Sequence, residues 1–190
     1  MGRSYRCEAC GEGVEGYTVE IGGGVTEVRC LSCGLPLEKL AGGPLGRFRR
    51  ALVADDSPFF TEGLESFLLT RKLAGEVAKA RDGSEALETA ALALREKRPF
   101  GLAILDFMMP RLNGLHCAVA LRALEKAFAH SRCAIVFLSS RKLEPGLRPL
   151  LEELEPAFYV NKGSGGEDGL LGDRLENVLR AVASAHQTGP

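Results

Sequence analysis

From Arg49 onward, short apolar runs alternate with longer stretches whose apolar residues recur every three or four positions. The runs are Ala51–Ala54, a weaker Glu76–Ala80, Leu102–Leu105, Ala134–Leu138 and Phe158–Asn161, all of strand length. After the first, Ser57-Pro58 opens a predicted helix with Phe59, Phe60, Leu64, Phe67 and Leu68 at helical spacing. Asp82-Gly83-Ser84 reads as a turn and cap before an Ala/Leu-rich helix from Glu85 to about Arg98. Asn113-Gly114 precedes a helix running to about His130, and Pro145–Glu155 places Leu147, Leu150, Leu151 and Leu154 on one helical face. Leu170–Ala185 forms the last predicted helix. Strands and helices alternating five times predict an α/β fold with a doubly wound parallel sheet.

Residues 1–40 follow a different pattern, rich in Gly, Glu and Cys with few large apolar side chains. AGGPLGRF, residues 41–48, reads as a linker. The expected organisation is therefore a small module over 1–40, a linker over 41–48 and an α/β domain over 49–190.

Composition narrows the function classes. The 190 residues carry a formal net charge of −1, with 45% hydrophobic and 26% charged residues. That balance supports a buried core and gives no generic electrostatic grip on nucleic acid or anionic lipid. No apolar run reaches the roughly 18 residues that cross a bilayer, and MGRSYRCEACGEG lacks the apolar region of a secretory signal. The expectation is a cytoplasmic protein without membrane insertion. Six cysteines in a reducing compartment point to metal before disulfides. Cys117 and Cys133 stand apart from the others and are expected to be small buried side chains.

Parallel sheets bind ligands beyond the carboxyl ends of their strands, where strand order reverses. Those ends carry Asp55 and Asp56, then Asp106, then Ser139 and Ser140, then Lys162. Clustered carboxylates repel one another unless a positive charge joins them. Mg²⁺ suits such oxygen ligands, and Lys162 supplies a second positive charge. One carboxylate could then act as a nucleophile toward a phosphoryl group, with metal and lysine neutralising charge on the transferred oxygens.

LVADDSP, LAILDFMMPRLNGL, IVFLSS and YVNKG, in this order, resemble the receiver domain of two-component response regulators, over about residues 49–185. The resemblance implies a flavodoxin-like five-stranded sheet. It also implies that Asp106 is the phosphoacceptor and that Asp55, Asp56, Asp106 and the backbone carbonyl of Met108 hold Mg²⁺. Ser139 matches the switch hydroxyl, Tyr159 the aromatic that follows it, and Lys162 the site lysine. Gly163 stands where receivers usually carry proline, which predicts a looser setting for Lys162. Pro145 and Pro149 predict an unusual fourth helix, because interior prolines break the helical ladder.

In the first module, Cys7-x-x-Cys10 and Cys30-x-x-Cys33 are each followed by glycine, which tolerates the backbone of a thiolate knuckle. Tyr17–Ile21 and Val25–Val28 flank three glycines and read as a hairpin. Two knuckles on a hairpin look like a zinc ribbon with a Cys₄ Zn²⁺ site, the metal supplying folding free energy that so short a module lacks. A redox pair would need a βαβ context absent here, and an iron–sulfur site is the other alternative. Residues 1–40 hold four basic and six acidic side chains, so nucleic-acid binding is disfavoured and protein docking or a structural role is favoured. Contact between the module and the α/β domain would need an apolar face, for which Leu31, Leu35, Leu37 and Leu40 are the candidates.

Arg47-Phe48-Arg49-Arg50 reads as a solvated strand entrance rather than a phosphate contact. His116, His130 and His186 lack ligand spacing, and Phe100, Phe107, Phe128 and Phe137 are expected in or around the core. After the last helix only a few residues remain, leaving no expected output domain. The leading expectation is a single-receiver switch, phosphorylated on Asp106 by a histidine kinase and signalling through a downstream protein partner. A phosphorylation-independent scaffold, docking through both parts, is the alternative. A nucleic-acid binder gated by the receiver ranks third.

Overall fold

The computed structural model describes residues 4–7, 10, 12–20, 26–30, 35, 37, 47–141, 143–162, 171–176, 178–179 and 182. The five apolar runs become one parallel sheet, formed by β4 (Phe48–Ala54), β5 (Ala74–Ala80), β6 (Leu102–Asp106), β7 (Ala134–Ser139) and β8 (Ala157–Asn161) in the order β5-β4-β6-β7-β8. This is the parallel sheet that the sequence pattern predicts, in the flavodoxin-like order that the resemblance implies. β6 and β7 are buried at every position, which is why they read as continuous apolar runs. Full burial of side chains such as Ile104, Ile135 and Leu138 contributes about 1.5–3 kcal/mol each. β5 lies at a sheet edge and shows mixed exposure, so its sequence signal is weak.

Helices α1 (Pro58–Thr70), α2 (Gly83–Arg95) and α3 (Gly114–Ala127) connect the first four of these strands. Asp82 caps α2 by accepting hydrogen bonds from the Ser84 and Glu85 amides, and Asn113 caps α3 through the His116 amide. α1 has proline in its first turn, where the missing N–H has no helical partner to lose. Its buried face is Thr61, Leu64 and Leu68. Phe59, expected on that face, is instead 74% exposed. Phe128 is likewise exposed, because α3 ends before it.

The fourth helical segment is shorter than its leucine spacing suggests. Pro145–Leu147 is a 3-10 turn and α4 covers only Arg148–Glu153. Pro149 falls in the first turn of α4, the place where proline does not break a ladder. Helical backbone resumes at 171–176, 178–179 and 182, with Leu171, Leu175, Val178, Leu179 and Val182 buried.

The N-terminal part forms a separate antiparallel sheet of β1 (Ser4–Cys7), β2 (Glu12–Glu20) and β3 (Thr26–Cys30), in the order β1-β2-β3. The predicted hairpin is β2–β3, with Glu20 opposite Thr26 and Gly16 opposite Cys30. β1 adds a second hairpin, pairing Cys7 with Glu12, which the sequence pattern did not reveal because four residues carry little periodicity. Arg29 of β3 pairs with Glu155 beside β8 at 2.7 Å. Leu35 is buried and Leu37 partly buried. Leu31, Leu40 and Gly163 lie outside the described residues.

Candidate functional site

The chain leaves β4 toward β5 on one side, then crosses β4 to reach β6 on the other. Strand order therefore reverses between β4 and β6, and a crevice opens at their carboxyl ends. Asp55 follows β4 directly and Asp106 is the last residue of β6. Both are buried, at 2% and 6% exposure, whereas Asp56 is exposed.

Lys162, which follows β8, reaches across to both. Its ammonium lies 2.7 Å from Asp55 Oδ2 and 2.6 Å from Asp106 Oδ1. The other carboxylate oxygens accept backbone hydrogen bonds, Asp55 Oδ1 from the Ser57 amide at 2.9 Å and Asp106 Oδ2 from the Met108 amide at 2.8 Å. Burial pushes the Asp106 carboxyl above its ordinary range, against the lowering effect of the Lys162 hydrogen bond and charge. For Lys162, burial disfavours the ammonium, but the hydrogen bonds and charges of Asp106 and Asp55 outweigh it and raise its pKa. The ammonium also sits 4.2 Å from the centre of the Phe60 ring, a cation–π contact. Phe60 had no site signal in the sequence, where it read as one more apolar position of a helix.

Ser139, at the end of β7, is buried and its hydroxyl accepts a hydrogen bond from the Arg141 amide at 3.1 Å. The Lys162 amide donates to the Ser139 carbonyl at 2.6 Å, which ties the lysine's backbone to β7. Tyr159 is buried, with its hydroxyl donating to the Arg141 carbonyl at 2.8 Å. Burial raises its pKa, and a hydrogen bond with Ser139 opposes that rise. Phe107 stacks edge-on against both Tyr159 and Phe137, forming an aromatic wall behind the carboxylates.

Gly114 holds the loop after β6 in place. A Cβ there would lie 2.2 Å from the Asp106 carbonyl oxygen, so only glycine lets α3 begin this close to the site. Asp82 belongs to the same layer and pairs with Arg111.

The model for the response regulator receiver domain matches residues 51–162, more than half of the chain. The chain belongs to that family. A curated relative, the "Probable transcriptional regulatory protein NarL" of Mycobacterium tuberculosis, is 34% identical over 94 residues, covering 46% of this chain and 41% of the relative. The receiver thus spans about two fifths of the curated relatives it matches. Among solved structures, the receiver domain of the M. tuberculosis NarL protein has a TM-score of 0.55 at 25% identity, covering 75% of this chain and 99% of that one. The receiver domain of the Arabidopsis thaliana histidine kinase CKI1, complexed with Mg²⁺ and BeF₃⁻, has a TM-score of 0.57 at 22% identity, with coverages of 72% and 90%. As elsewhere in the family, the receiver is a signalling domain rather than a conventional enzyme.

The second cluster lies in the N-terminal sheet. Cys7, Cys10 and Cys30 bring their sulfurs within 4.8 Å of one another, and Cys10 Sγ is 3.8 Å from Cys30 Sγ. A disulfide needs about 2.05 Å, so the 3.8 Å pair is not joined by one. Two thiolates on a tetrahedral ion at about 2.3 Å each stand roughly 3.8 Å apart, so the spacing fits a metal ion. Cys33 lies outside the described residues. Cys117 and Cys133 are buried elsewhere, and burial pushes the Cys117 thiol up to about 12, consistent with packing rather than reactivity. Among the described residues no helix is long and apolar enough to cross a membrane.

Proposed function

We propose that this receiver is a phosphorylation switch, with Asp106 as the phosphoacceptor and a histidine kinase as the donor. The observation that carries the reading is the Lys162 ammonium bridging the two buried carboxylates, Asp55 and Asp106. The crevice is acceptor-rich, and Asp55, Asp56, Asp106 and the Met108 carbonyl are the groups that would hold Mg²⁺ there. Bound Mg²⁺ would supply charge neutralisation for a phosphoryl group. An Asp106 oxygen attacks phosphorus, the phosphorus–nitrogen bond of the donor phosphohistidine breaks, and an acyl phosphate remains on the aspartate. Lys162, anchored by Asp55 and the Phe60 ring, stays beside Asp106 and offsets the added charge.

Ser139 is the switch hydroxyl in this reading. A new anion on Asp106 would accept from the Ser139 hydroxyl and so compete with the Ser139–Tyr159 hydrogen bond, while the Ser139 oxygen can still accept from the Arg141 amide. Tyr159, whose hydroxyl rests on the Arg141 carbonyl, responds to movement of the same loop, and the change reaches the segment from Arg141 to α4. The output we propose is a protein contact in a cytoplasmic setting. Phe59 and Met108, 74% and 57% exposed, offer apolar anchors near the crevice for such a partner. The test is intact mass after incubation with acetyl phosphate, with and without Mg²⁺. One Mg²⁺-dependent phosphoryl adduct is expected. Folded protein that gains none would sink the switch and favour a phosphorylation-independent scaffold.

For residues 1–40 we propose a structural Zn²⁺ site of Cys7, Cys10, Cys30 and Cys33. Three converging sulfurs and the 3.8 Å pair support it. Native mass spectrometry is expected to show one zinc per chain, and Cys30→Ser to lose it. Cys33→Ser protein that keeps full zinc affinity would overturn the four-cysteine set.

A further inference from the structure

At the opposite end of the sheet from the carboxylates, three segments enter strands and leave a cleft of about 430 Å³ between them. They are residues 47–50 at the start of β4, 97–101 before β6 and 130–133 before β7. Among the described residues six cations line it, namely Arg47, Arg49, Arg50, Lys97, Arg98 and Arg132, with His130 beside them and no carboxylate. This concentration stands out in a chain whose net charge is −1.

The internal partners of these cations are few. Glu76 accepts from Arg50 at 3.1 Å and from Arg98 at 2.9 Å, so one carboxylate serves two guanidiniums. Arg132 donates to the carbonyls of Glu153 and Glu155, which orients its side chain without neutralising it. The side chains of Arg47, Arg49 and Lys97 make no hydrogen bond or ion pair at contact distance among the described residues, although the Arg49 charge also acts on Glu76. Arg50 Nε is buried with no acceptor there. The floor of the cleft is apolar, with Phe48, Phe100 and Cys133 buried and the Arg50 guanidinium 4.4 Å from the centre of the Phe100 ring.

We propose that this cleft binds a nucleotide-sized ligand bearing at least two phosphate charges, at a site separate from the phosphoacceptor crevice. Like charges gathered from three separate segments repel one another, and a polyanion would relieve that repulsion. Guanidinium forks match phosphate oxygens in pairs. The volume falls in the range of small-molecule sites, roughly 300–1,000 Å³. A concave site with an apolar floor suits a compact diphosphate ester, because part of the ligand would be withdrawn from water against Phe48 and Phe100.

The test is isothermal titration calorimetry of the full chain with ADP, pyrophosphate, adenosine and decathymidylate, without added Mg²⁺. ADP and pyrophosphate are expected to bind at one site per chain and adenosine not to bind. Arg49→Glu and Lys97→Glu, both at exposed positions, should each weaken ADP binding about tenfold or more, while Asp106→Asn should not change it. Absence of saturable ADP binding, or ADP affinity unchanged in both charge reversals, would overturn the proposal. So would decathymidylate that displaces ADP and binds more than about tenfold tighter, since the cleft would then serve a nucleic-acid strand.

Discussion

Asp106→Asn is expected to abolish Mg²⁺-dependent labelling by acetyl phosphate and, in the same protein, to raise the thermal midpoint of the metal-free fold. The first effect follows because the amide cannot form the acyl phosphate. The second follows from burial. Asp106 is 6% exposed and its carboxyl is pushed above its ordinary range, so ionising it costs the folded state. A raised folded-state pKa contributes stability that is present below the unfolded pKa and lost as pH rises through the folded one. The advantage of the variant should therefore be smallest in acid and reach its full size above the folded pKa. The upward shift of Lys162 acts in the other direction, since it records an ammonium stabilised by folding. Asp55, 2.7 Å away, keeps its own share of that stabilisation in the variant, and the upward shift of Asp106 in spite of the Lys162 contact sets the expected sign. A gain on the order of 1 kcal/mol, or about 2–4 °C, is expected in differential scanning calorimetry. Saturating Mg²⁺ should narrow the gap, because it binds the folded wild type. A variant less stable than wild type at neutral pH would show that the Lys162–Asp106 contact outweighs the cost of burial.

Arg122→Ala is expected to cost about 3–5 kcal/mol, the largest loss of stability foreseen for a single substitution in this fold. Arg122 is buried in α3, and its guanidinium contacts Glu125 Oε2 at 2.7 Å, the Cys133 carbonyl at 2.9 Å and the Leu154 carbonyl at 2.8 and 3.0 Å. Glu125, also buried, accepts from the Cys133 amide at 2.7 Å through its other oxygen. The pair thus joins α3 to the entrance of β7 and to the end of α4. Truncating the arginine leaves a buried carboxylate and two buried carbonyls without their donor. Glu125→Gln, which keeps an acceptor for the Cys133 amide and neutralises the site's negative charge, should cost less than Arg122→Ala. Urea unfolding measures both. A loss below about 1 kcal/mol for Arg122→Ala would mean that water replaces the guanidinium.

How much of this was legible in advance depends on the range of the interaction concerned. β6 and β7 were readable because a strand buried on both faces is apolar at every position, whatever packs against it. The starts of α1 to α3 were readable because Pro58, Asp82 and Asn113 act on backbone within a few residues. The juxtaposition of Asp55, Asp106 and Lys162 was also accessible, since a parallel sheet delivers all its strand ends to one edge. The residues over 51–162 that carry the family resemblance thus sit where the sequence pattern placed them.

Other features depended on the packed molecule. Phe59 and Phe60 are neighbours in one apolar helix turn, yet one is exposed and the other lies under the Lys162 ammonium. Nothing local distinguishes them, because the difference arises from a lysine 102 positions away from Phe60. Arg122 and Glu125 look like an exposed helical pair at i, i+3, and only the β7 and α4 segments closing over them make the pair buried. The strand entrance at Arg47–Arg50 reads as solvated when taken alone. Its meaning changes once folding brings Lys97, Arg98 and Arg132 against it. The sequence by itself determined the five strands of the parallel sheet, the starts of α1 to α3 and the set of groups at the carboxyl edge, which follow from periodicity and backbone chemistry. The tertiary structure alone decided which of those groups are buried and what charge each one faces, because desolvation and Coulomb energy depend on neighbours that are far apart along the chain.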